Sequence, residues 1–574
     1  MKFSELKKQL KKDVSGFPEI RLAVLGDSAT QMLAMALQAF GAYRDINLNV
    51  FNTDYNQIEY QLYDPSSEVY AFRPDYILIF ISAQKLYESY CDRPLNECGS
   101  FAADTLSRIQ GYWDSIATRS GCKILQYLPA ERDDRIFGNH GVQIKESFIY
   151  QMRSLNMGLM RTAEGRKDIH LIDLAYIQNA YGRSHLFDEK MYYAAKLAIR
   201  LDALPDVAAL TLDTIEAIRG KTKKCVVLDL DNTLWGGVIG DDGLNAIELG
   251  ELGRGHAFSE FQCWLKKLKE RGILLTVCSK NEEAAAKEPF EKHADMVLRL
   301  TDISMFVANW QDKAGNIRMI QETLNIGMDS LVFIDDNPVE RDLVRSMIPE
   351  ITVPELPEDP SDYVTFLTSL NLFETPAYTD ADGARTEQYR AEADRTVHMR
   401  EHASIDEYLQ SLEMIATTTG FTEFNIPRAA QLSQRSNQFN LCTVRYTAAD
   451  AERIAADPKY FPLTFSLRDK FGDYGLISVL ILRREDEDTF YIENWFMSCR
   501  VLKRGMEEFI INTAVETARN AGGKRIIGAY LPTQKNKMVE HIYDVLGFEH
   551  LSEGRYAVRT DAFVPNKTFI CEDA

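Results

Sequence analysis

The stretch Val226-Val-Leu-Asp229-Leu-Asp231-Asn-Thr233-Leu decides how the middle of this chain folds. Its apolar run reads as a buried strand, and two carboxylates follow it two residues apart. Side chains two apart on extended backbone point the same way, so both acids meet at the strand's carboxyl end. In open α/β sheets that edge is where ligands bind. A buried acid pair repels itself unless a cation lies between, which points to Mg²⁺ with oxygen ligands. Three signals follow in order: Ser279 ends the strand Leu274 to Cys278, Lys313 sits in Asn309-Trp-Gln-Asp-Lys, and Asp335-Asp336 end the strand Leu331 to Ile334.

Outward from this centre, strands alternate with helical patterns on the amino-terminal side. Arg21 to Leu25, Tyr76 to Ile81, Lys123 to Leu128 and His170 to Leu174 read as strands, and Ala29 to Phe40 as a helix. That alternation predicts a doubly wound, mostly parallel sheet. Residues 375 to 400 turn polar and charged and predict a helical connector. Beyond it the pattern is α+β, with strands near Leu463 to Ser466, Leu476 to Leu482 and Thr489 to Trp495, then a long helix from about Gly505. The expected division of the 574 residues is 1–215, 216–375, a connector at 376–400, and 401–574.

Lys plus Arg number 65 and Asp plus Glu 85, a formal charge of −20. Such a surface repels nucleic-acid phosphates and anionic lipid, so neither is an expected partner. The nine cysteines contain no Cys-x-x-Cys pair and read as reduced cytoplasmic thiols. No apolar run is long enough to span a membrane.

The four central motifs together resemble the haloacid dehalogenase (HAD) superfamily of aspartate-nucleophile phosphohydrolases. The resemblance implies that Asp229 attacks phosphorus and that Asp231 moves the proton. It also implies that Ser279 and Lys313 hold phosphoryl oxygens. Asp335 would complete a Mg²⁺ shell with Asp229 and the carbonyl of Asp231, with Asp336 the lesser of its pair. The longer run Leu228 to Gly240, with Ser279-Lys-Asn281, Phe333 to Pro338 and Asn437-Gln-Phe-Asn440, is similar to the FkbH-like family. Members pair a HAD-type domain with an acetyltransferase-like one. The best-understood members dephosphorylate a bisphosphoglycerate-derived unit and load glyceryl onto an acyl carrier protein.

Residues 400 to 560 resemble the GNAT acyltransferases, which bind acyl-CoA pantetheine and pyrophosphate at a strand-to-helix turn. The matching piece is Ser498 to Glu507, where Arg500 and Gly505 fit and Lys503 replaces the first glycine. Arg500, Lys503, Arg504, Gly505 and Asn536 are thus the expected cofactor contacts, and Tyr543 the proton donor to a CoA or phosphopantetheine thiolate. Asn437, Asn440 and Arg445 are further polar candidates. Near the amino terminus, Gly26-Asp27-Ser28 resembles the first block of the SGNH hydrolases, with Ser28 the nucleophile and His185 its base. That family's Gly-x-Asn-Asp block is missing after Ile81 and Gly182 stands where its Asp precedes the His, so Asp188, three residues after His185, is the acid expected to orient it.

The fold expected is therefore α/β in three domains: an SGNH-like doubly wound sheet, a HAD-like Rossmannoid sheet and a GNAT-like α+β domain. The function these resemblances imply is phosphate removal or transfer on a small phosphorylated metabolite, coupled to acyl transfer. Glyceryl transfer to a carrier protein is the family precedent. A sugar-phosphate phosphatase joined to an N-acetyltransferase for surface polysaccharide is one alternative, and a non-catalytic carrier-docking scaffold is another.

Overall fold

The structure, a computed structural model, describes residues 1–378, 404–533, 535–552 and 554–573, with Arg500 described by its backbone only. The expected helical connector lies outside the described residues from 379 onward. The chain divides into two compact units, Met1–Glu216 and Ala217–Ala574.

The first unit is built on five parallel strands: β1 Glu19–Gly26, β2 Asn47–Asn52, β3 Tyr76–Phe80, β4 Lys123–Leu128 and β5 Ile169–Asp173, in the order β2-β1-β3-β4-β5. Strands β1, β3 and β4 lie inside the sheet and are buried almost throughout, as their unbroken apolar runs require. The sequence reading missed β2, which is an edge strand. Its alternation of Asn with apolar residues leaves it half-buried and weakens the signal.

The second unit opens with a parallel sheet of β6 Cys225–Leu228, β7 Leu274–Ser279, β8 Ile303–Ala308 and β9 Leu331–Ile334, in the order β8-β7-β6-β9. Every residue of β6, β7 and β9 is buried. Central β6 pairs with β7 and β9 in register, Leu228 facing Val277 on one side and Ile334 on the other. That register brings the chain ends after Leu228, Cys278 and Ile334 to one edge.

Residues 404 onward form a mixed sheet of β10 Ile415–Thr419, β11 Tyr460–Asp469, β12 Gly472–Arg484, β13 Thr489–Met497, β14 Arg525–Ala529, β15 Glu549–Ser552, β16 Arg555–Arg559 and β17 Cys571–Glu572. The helix Met506–Asn520 connects parallel strands β13 and β14. Their ladder runs only from Thr489–Arg525 to Tyr491–Ile527 and then stops. Past that point the chain's own Phe439–Cys442 segment fills the gap. Met497 N–H donates to Phe439 O (3.1 Å) and Leu441 N–H to Trp495 O (3.0 Å), while Leu531 N–H donates to Leu441 O (2.8 Å) on the other side. Backbone groups left by the broken ladder are thereby satisfied internally. Among the described residues no helix is long and apolar enough to cross a membrane.

Candidate active site

Asp229 follows β6 and is 7% exposed; its N–H donates to Ile334 O across the sheet (3.0 Å). Lys313 opens the helix Lys313–Leu324, which Asp312 caps by accepting Gly315 N–H (2.7 Å). The cap aims Lys313 into the sheet edge, where it is only 3% exposed. Its ammonium lies 3.0 Å from Asp229 Oδ1 and 2.5 Å from Asp335 Oδ2. The pKa of Lys313 is raised, because Asp229 and Asp335 outweigh the opposing effect of burial. Burial, then the neighbouring Asp229 charge, pushes the Asp335 carboxyl up to about 6.

Carboxylate oxygens of Asp229, Asp335 and Asp336 all lie within 4.8 Å of one another. Asp336 is thus a full member of the acid cluster, where the sequence reading ranked it below Asp335 and took the main-chain carbonyl of Asp231 as the further donor. Asp336 is drawn in by Thr233. Its N–H donates to Thr233 Oγ1 (3.1 Å), which in turn donates to Asp336 Oδ1 (3.3 Å). Arg341 donates to the carbonyls of both Asp335 (2.8 Å) and Asp336 (2.6 Å), holding the turn after β9. Three carboxylates around one ammonium leave excess negative charge in a buried, all-oxygen site, and that donor set fits a hard divalent cation.

The side chain of Asp231 lies outside that trio. Its Oδ1 accepts Trp235 Nε1–H (3.0 Å) and Ile239 N–H (3.0 Å), and its Oδ2 accepts Asn281 Nδ2–H (2.8 Å). Asn281 also donates to Ser279 Oγ (3.2 Å), so Ser279 and Asp231 are tied through one amide. The loop that delivers these donors depends on left-handed backbone at Asn232 (φ 53°) and Gly237 (φ 92°). A Cβ on Gly237 would lie 2.8 Å from Asp242 Oδ2. Sequence reasoning named Asp229, Asp231, Ser279, Lys313 and Asp335, all of which converge here. It missed Thr233, Trp235, Asn281 and Arg341, although the first three lie inside the quoted motifs.

The amino-terminal pair does not assemble. Ser28 Oγ is buried without a hydrogen-bond partner among the described residues. His185 Nε2 lies 2.8 Å from Asp206 Oδ2. Asp188 instead caps the helix Glu189–Ala195, accepting the N–H groups of Lys190 and Met191. Beside Ser28, burial raises Asp27 to about 7 against two hydrogen bonds from Ser82 N–H (3.0 Å each).

The expected cofactor turn is also differently used. Arg504 is 5% exposed and turns inward to Tyr474 Oη, near Asp469, so it is a structural residue. Lys503 is exposed at φ 60°, and its N–H donates to Glu507 (3.1 Å), which places a carboxylate at the helix start where an anion was expected. Gly505 keeps the left-handed φ of 79° expected of a glycine turn. Asn536 closes its own turn, accepting Thr533 N–H (2.7 Å) and donating to Asn440 O (3.0 Å). Tyr543 is a fully buried core ring between Phe548 and Tyr556. The side chain of Arg500 lies outside the described residues.

Paired acids leaving one central strand, a buried lysine and a second acid pair on the neighbouring strand define a HAD-type phosphohydrolase centre, and the chain is an enzyme of that class. It is 47% identical to the N-terminal part of the protein BF1531 from Bacteroides fragilis, described as containing a phosphatase domain complexed with Mg. The match covers 66% of this chain and 100% of that one, with a TM-score of 0.63. The family described as FkbH, N-terminal domain, matches residues 21–216. The chain belongs to the FkbH-like family, whose N-terminal-domain match lies in the first unit. The C-terminal sheet is similar to the ribosomal-protein-S18-alanine N-acetyltransferase of Escherichia coli (13% identity, 26% of this chain and 98% of that one, TM-score 0.21). It is likewise similar to a spermidine N-acetyltransferase from Vibrio cholerae (15%, 25% and 96%, TM-score 0.20). No curated protein matches.

Proposed function

We propose that this protein removes or transfers one phosphate of a small phosphorylated metabolite at Asp229 and passes its acyl unit to a thiol acceptor, the thiolate attacking an acyl phosphate as its C–O bond breaks and inorganic phosphate leaves. The observation that carries this reading is the buried Asp229–Lys313–Asp335–Asp336 cluster beside a separately anchored Asp231. One acid is free to be a nucleophile while the other is oriented by Trp235, Ile239 and Asn281. That division of roles between two carboxylates is what a two-step displacement needs.

Asp229 would form a bond to phosphorus as the ester P–O bond breaks, leaving an aspartyl-phosphate, with the proton for the leaving oxygen supplied by Asp231. Asp231 would then take a proton from water as water attacks the same phosphorus and frees Asp229. Lys313 and Ser279 would hold the phosphoryl oxygens. Mg²⁺, held by Asp229, Asp335 and Asp336, would neutralise charge that builds on those oxygens. The cation called for by the acid cluster and the Mg in the Bacteroides fragilis relative agree.

For the acyl acceptor, family precedent favours glyceryl transfer to a carrier protein over acetyl-CoA-dependent acetylation. Phosphate release from a panel of phosphorylated three- to six-carbon acids and sugars, with and without Mg²⁺, tests the first half. Wild-type turnover by Asp229→Asn would refute it. Intact-mass analysis of carrier proteins after incubation with bisphosphoglycerate tests the second, and a panel without any adduct would reject it.

A further inference from the structure

Arg341 lies in the first turn of the helix Pro338–Met347, yet its side chain folds back over the turn that leads out of β9. It is 6% exposed, and each of its guanidinium nitrogens is engaged. Nη1 donates to the carbonyls of both Asp335 and Asp336, while Nε (3.1 Å) and Nη2 (3.0 Å) meet Glu355 Oε2. A planar fork of donors lets one side chain reach in these two directions at once. The single ammonium of a lysine does not span them.

The residues held in this way supply two of the three carboxylates in the acid cluster. Their carbonyls belong to the peptide planes that follow Asp335 and Asp336. Fixing both planes fixes the backbone on either side of Asp336 and the direction in which its side chain leaves the chain. The rest of the turn is tied from within. Asp335 Oδ1 accepts Asn337 N–H (2.8 Å), Asn337 Oδ1 accepts Val339 N–H (2.9 Å), and Arg341 N–H donates to Asn337 O (3.1 Å). Glu355 is anchored to the same strand, because nearby Thr352 pairs with β9 through Leu331 O (3.2 Å) and Phe333 N–H (2.9 Å).

Mg²⁺ demands a near-octahedral set of oxygens, whereas Ca²⁺ accepts irregular coordination. A small rotation of one carboxylate therefore costs more affinity for Mg²⁺ than for Ca²⁺, and groups that orient the ligands from behind contribute to affinity. Arg345 offers a contrast on the same helix. It pairs with the same Glu355, but it donates to Val353 O (3.0 Å) and Asp342 (2.8 Å) rather than to the acid-bearing turn.

We propose that Arg341 is a positioning residue of the cation site, resting on the reading of Asp335 and Asp336 as Mg²⁺ ligands. It presets the two acids through their main-chain carbonyls, and Glu355 anchors its guanidinium. Its role is in the geometry of the site rather than in its charge.

The test is calorimetric titration of MgCl₂, and separately CaCl₂, into full-length protein stripped of metal with EDTA and dialysed. Arg341→Lys keeps the charge and loses the fork, and it should weaken Mg²⁺ binding about tenfold or more, as for other lost outer partners of a metal ligand. The loss for Ca²⁺ should be at least about threefold smaller, a selectivity that general loosening of the fold would not produce. Glu355→Ala should weaken Mg²⁺ about threefold, in line with an exposed ion pair. Arg345→Lys should leave Mg²⁺ binding unchanged. Thermal melts in EDTA establish that each variant is folded, and if Arg341→Lys is not, Glu355→Ala decides, with wild-type affinity there overturning the proposal. Wild-type protein that takes up no Mg²⁺ would overturn the cation assignment and the role of Arg341 with it. If wild type binds Mg²⁺, equal binding by folded Arg341→Lys, an equal loss for Ca²⁺, or an equal loss on Arg345→Lys would overturn the role of Arg341 alone.

Discussion

Replacing Lys313 by methionine keeps the length of the side chain and removes the one ammonium that bridges Asp229 and Asp335. Both carboxylates are buried, at 7% and 0% exposure, so solvent cannot substitute for the lost charge. Removing one partner of a buried ion pair costs about 3–5 kcal/mol, because the remaining charge is left uncompensated. In EDTA at pH 7.5 the Lys313→Met protein should therefore melt roughly 5–10 °C below wild type, at about 2 °C per kcal/mol for a unit of this size. Two further signatures separate this cause from a simple packing defect. Lowering the pH towards 5 should close much of the gap. Asp335 already sits near 6 with Lys313 present, and without it protonation relieves the repulsion at a still higher pH. Mg²⁺ should stabilise the variant more than wild type, since it fills a site stripped of its competing cation. A ligand at a hundred times its dissociation constant adds about 2.7 kcal/mol to whichever state binds it. Differential scanning calorimetry in EDTA and in Mg²⁺, at both pH values, provides four melting temperatures for each protein. A variant that melts with wild type in EDTA, or gains no more from Mg²⁺ than wild type does, would refute the electrostatic account of this cluster.

Asp336→Asn should weaken Mg²⁺ binding at least tenfold by calorimetry, whereas Asp231→Asn should leave it within a few-fold while slowing phosphate release more than a hundredfold. Asn281→Ala, which frees both Asp231 and Ser279, should lower kcat about 10- to 100-fold with KM little changed, as expected of an orienting residue. Ser28→Ala and His185→Ala should leave phosphate release unaltered, because the two side chains are not hydrogen-bonded to each other. Asp27 has a folded value of about 7, above the ordinary 3.8, so its stabilising contribution is complete below about 4 and lost as the pH rises through 7. Asp27→Asn should accordingly increase hydrogen-exchange protection of β1 peptides at pH 8 and change little at pH 4. Gly528→Ala would put a Cβ 2.4 Å from the buried ring of Tyr543 and should destabilise the second unit by about 1–3 kcal/mol in urea unfolding.

Much of the catalytic edge was legible because its signals are local. An unbroken apolar run followed by acids specifies a buried strand with those acids at its carboxyl end, whatever the rest of the chain does. The same holds for Lys313 behind its Asp312 cap, and for the glycine turn at Gly505. Edge strands such as β2 and the short β17 lack that contrast, since half-exposed residues carry no strong pattern.

Partnerships across large separations were not legible. Asp336 joins the acid cluster through Thr233, which is 103 residues away, and Asp231 is held by Asn281 at a separation of 50. Both pairings follow from the in-register alignment of β6 with β7 and β9. His185 is partnered by Asp206 rather than by the acid three residues on, because Asp188 is consumed capping a helix. The direction of Arg504, the burial of Tyr543 and the strand-like insertion of Phe439–Cys442 are likewise products of packing. By itself the sequence determined which central strands are buried, which acids lie at their carboxyl ends and the family to which the chain belongs, since periodicity and short motifs are properties of neighbours in the chain. Only the tertiary structure decided which carboxylate joins which cluster and which motifs fail to meet, since those depend on how distant segments are brought into register.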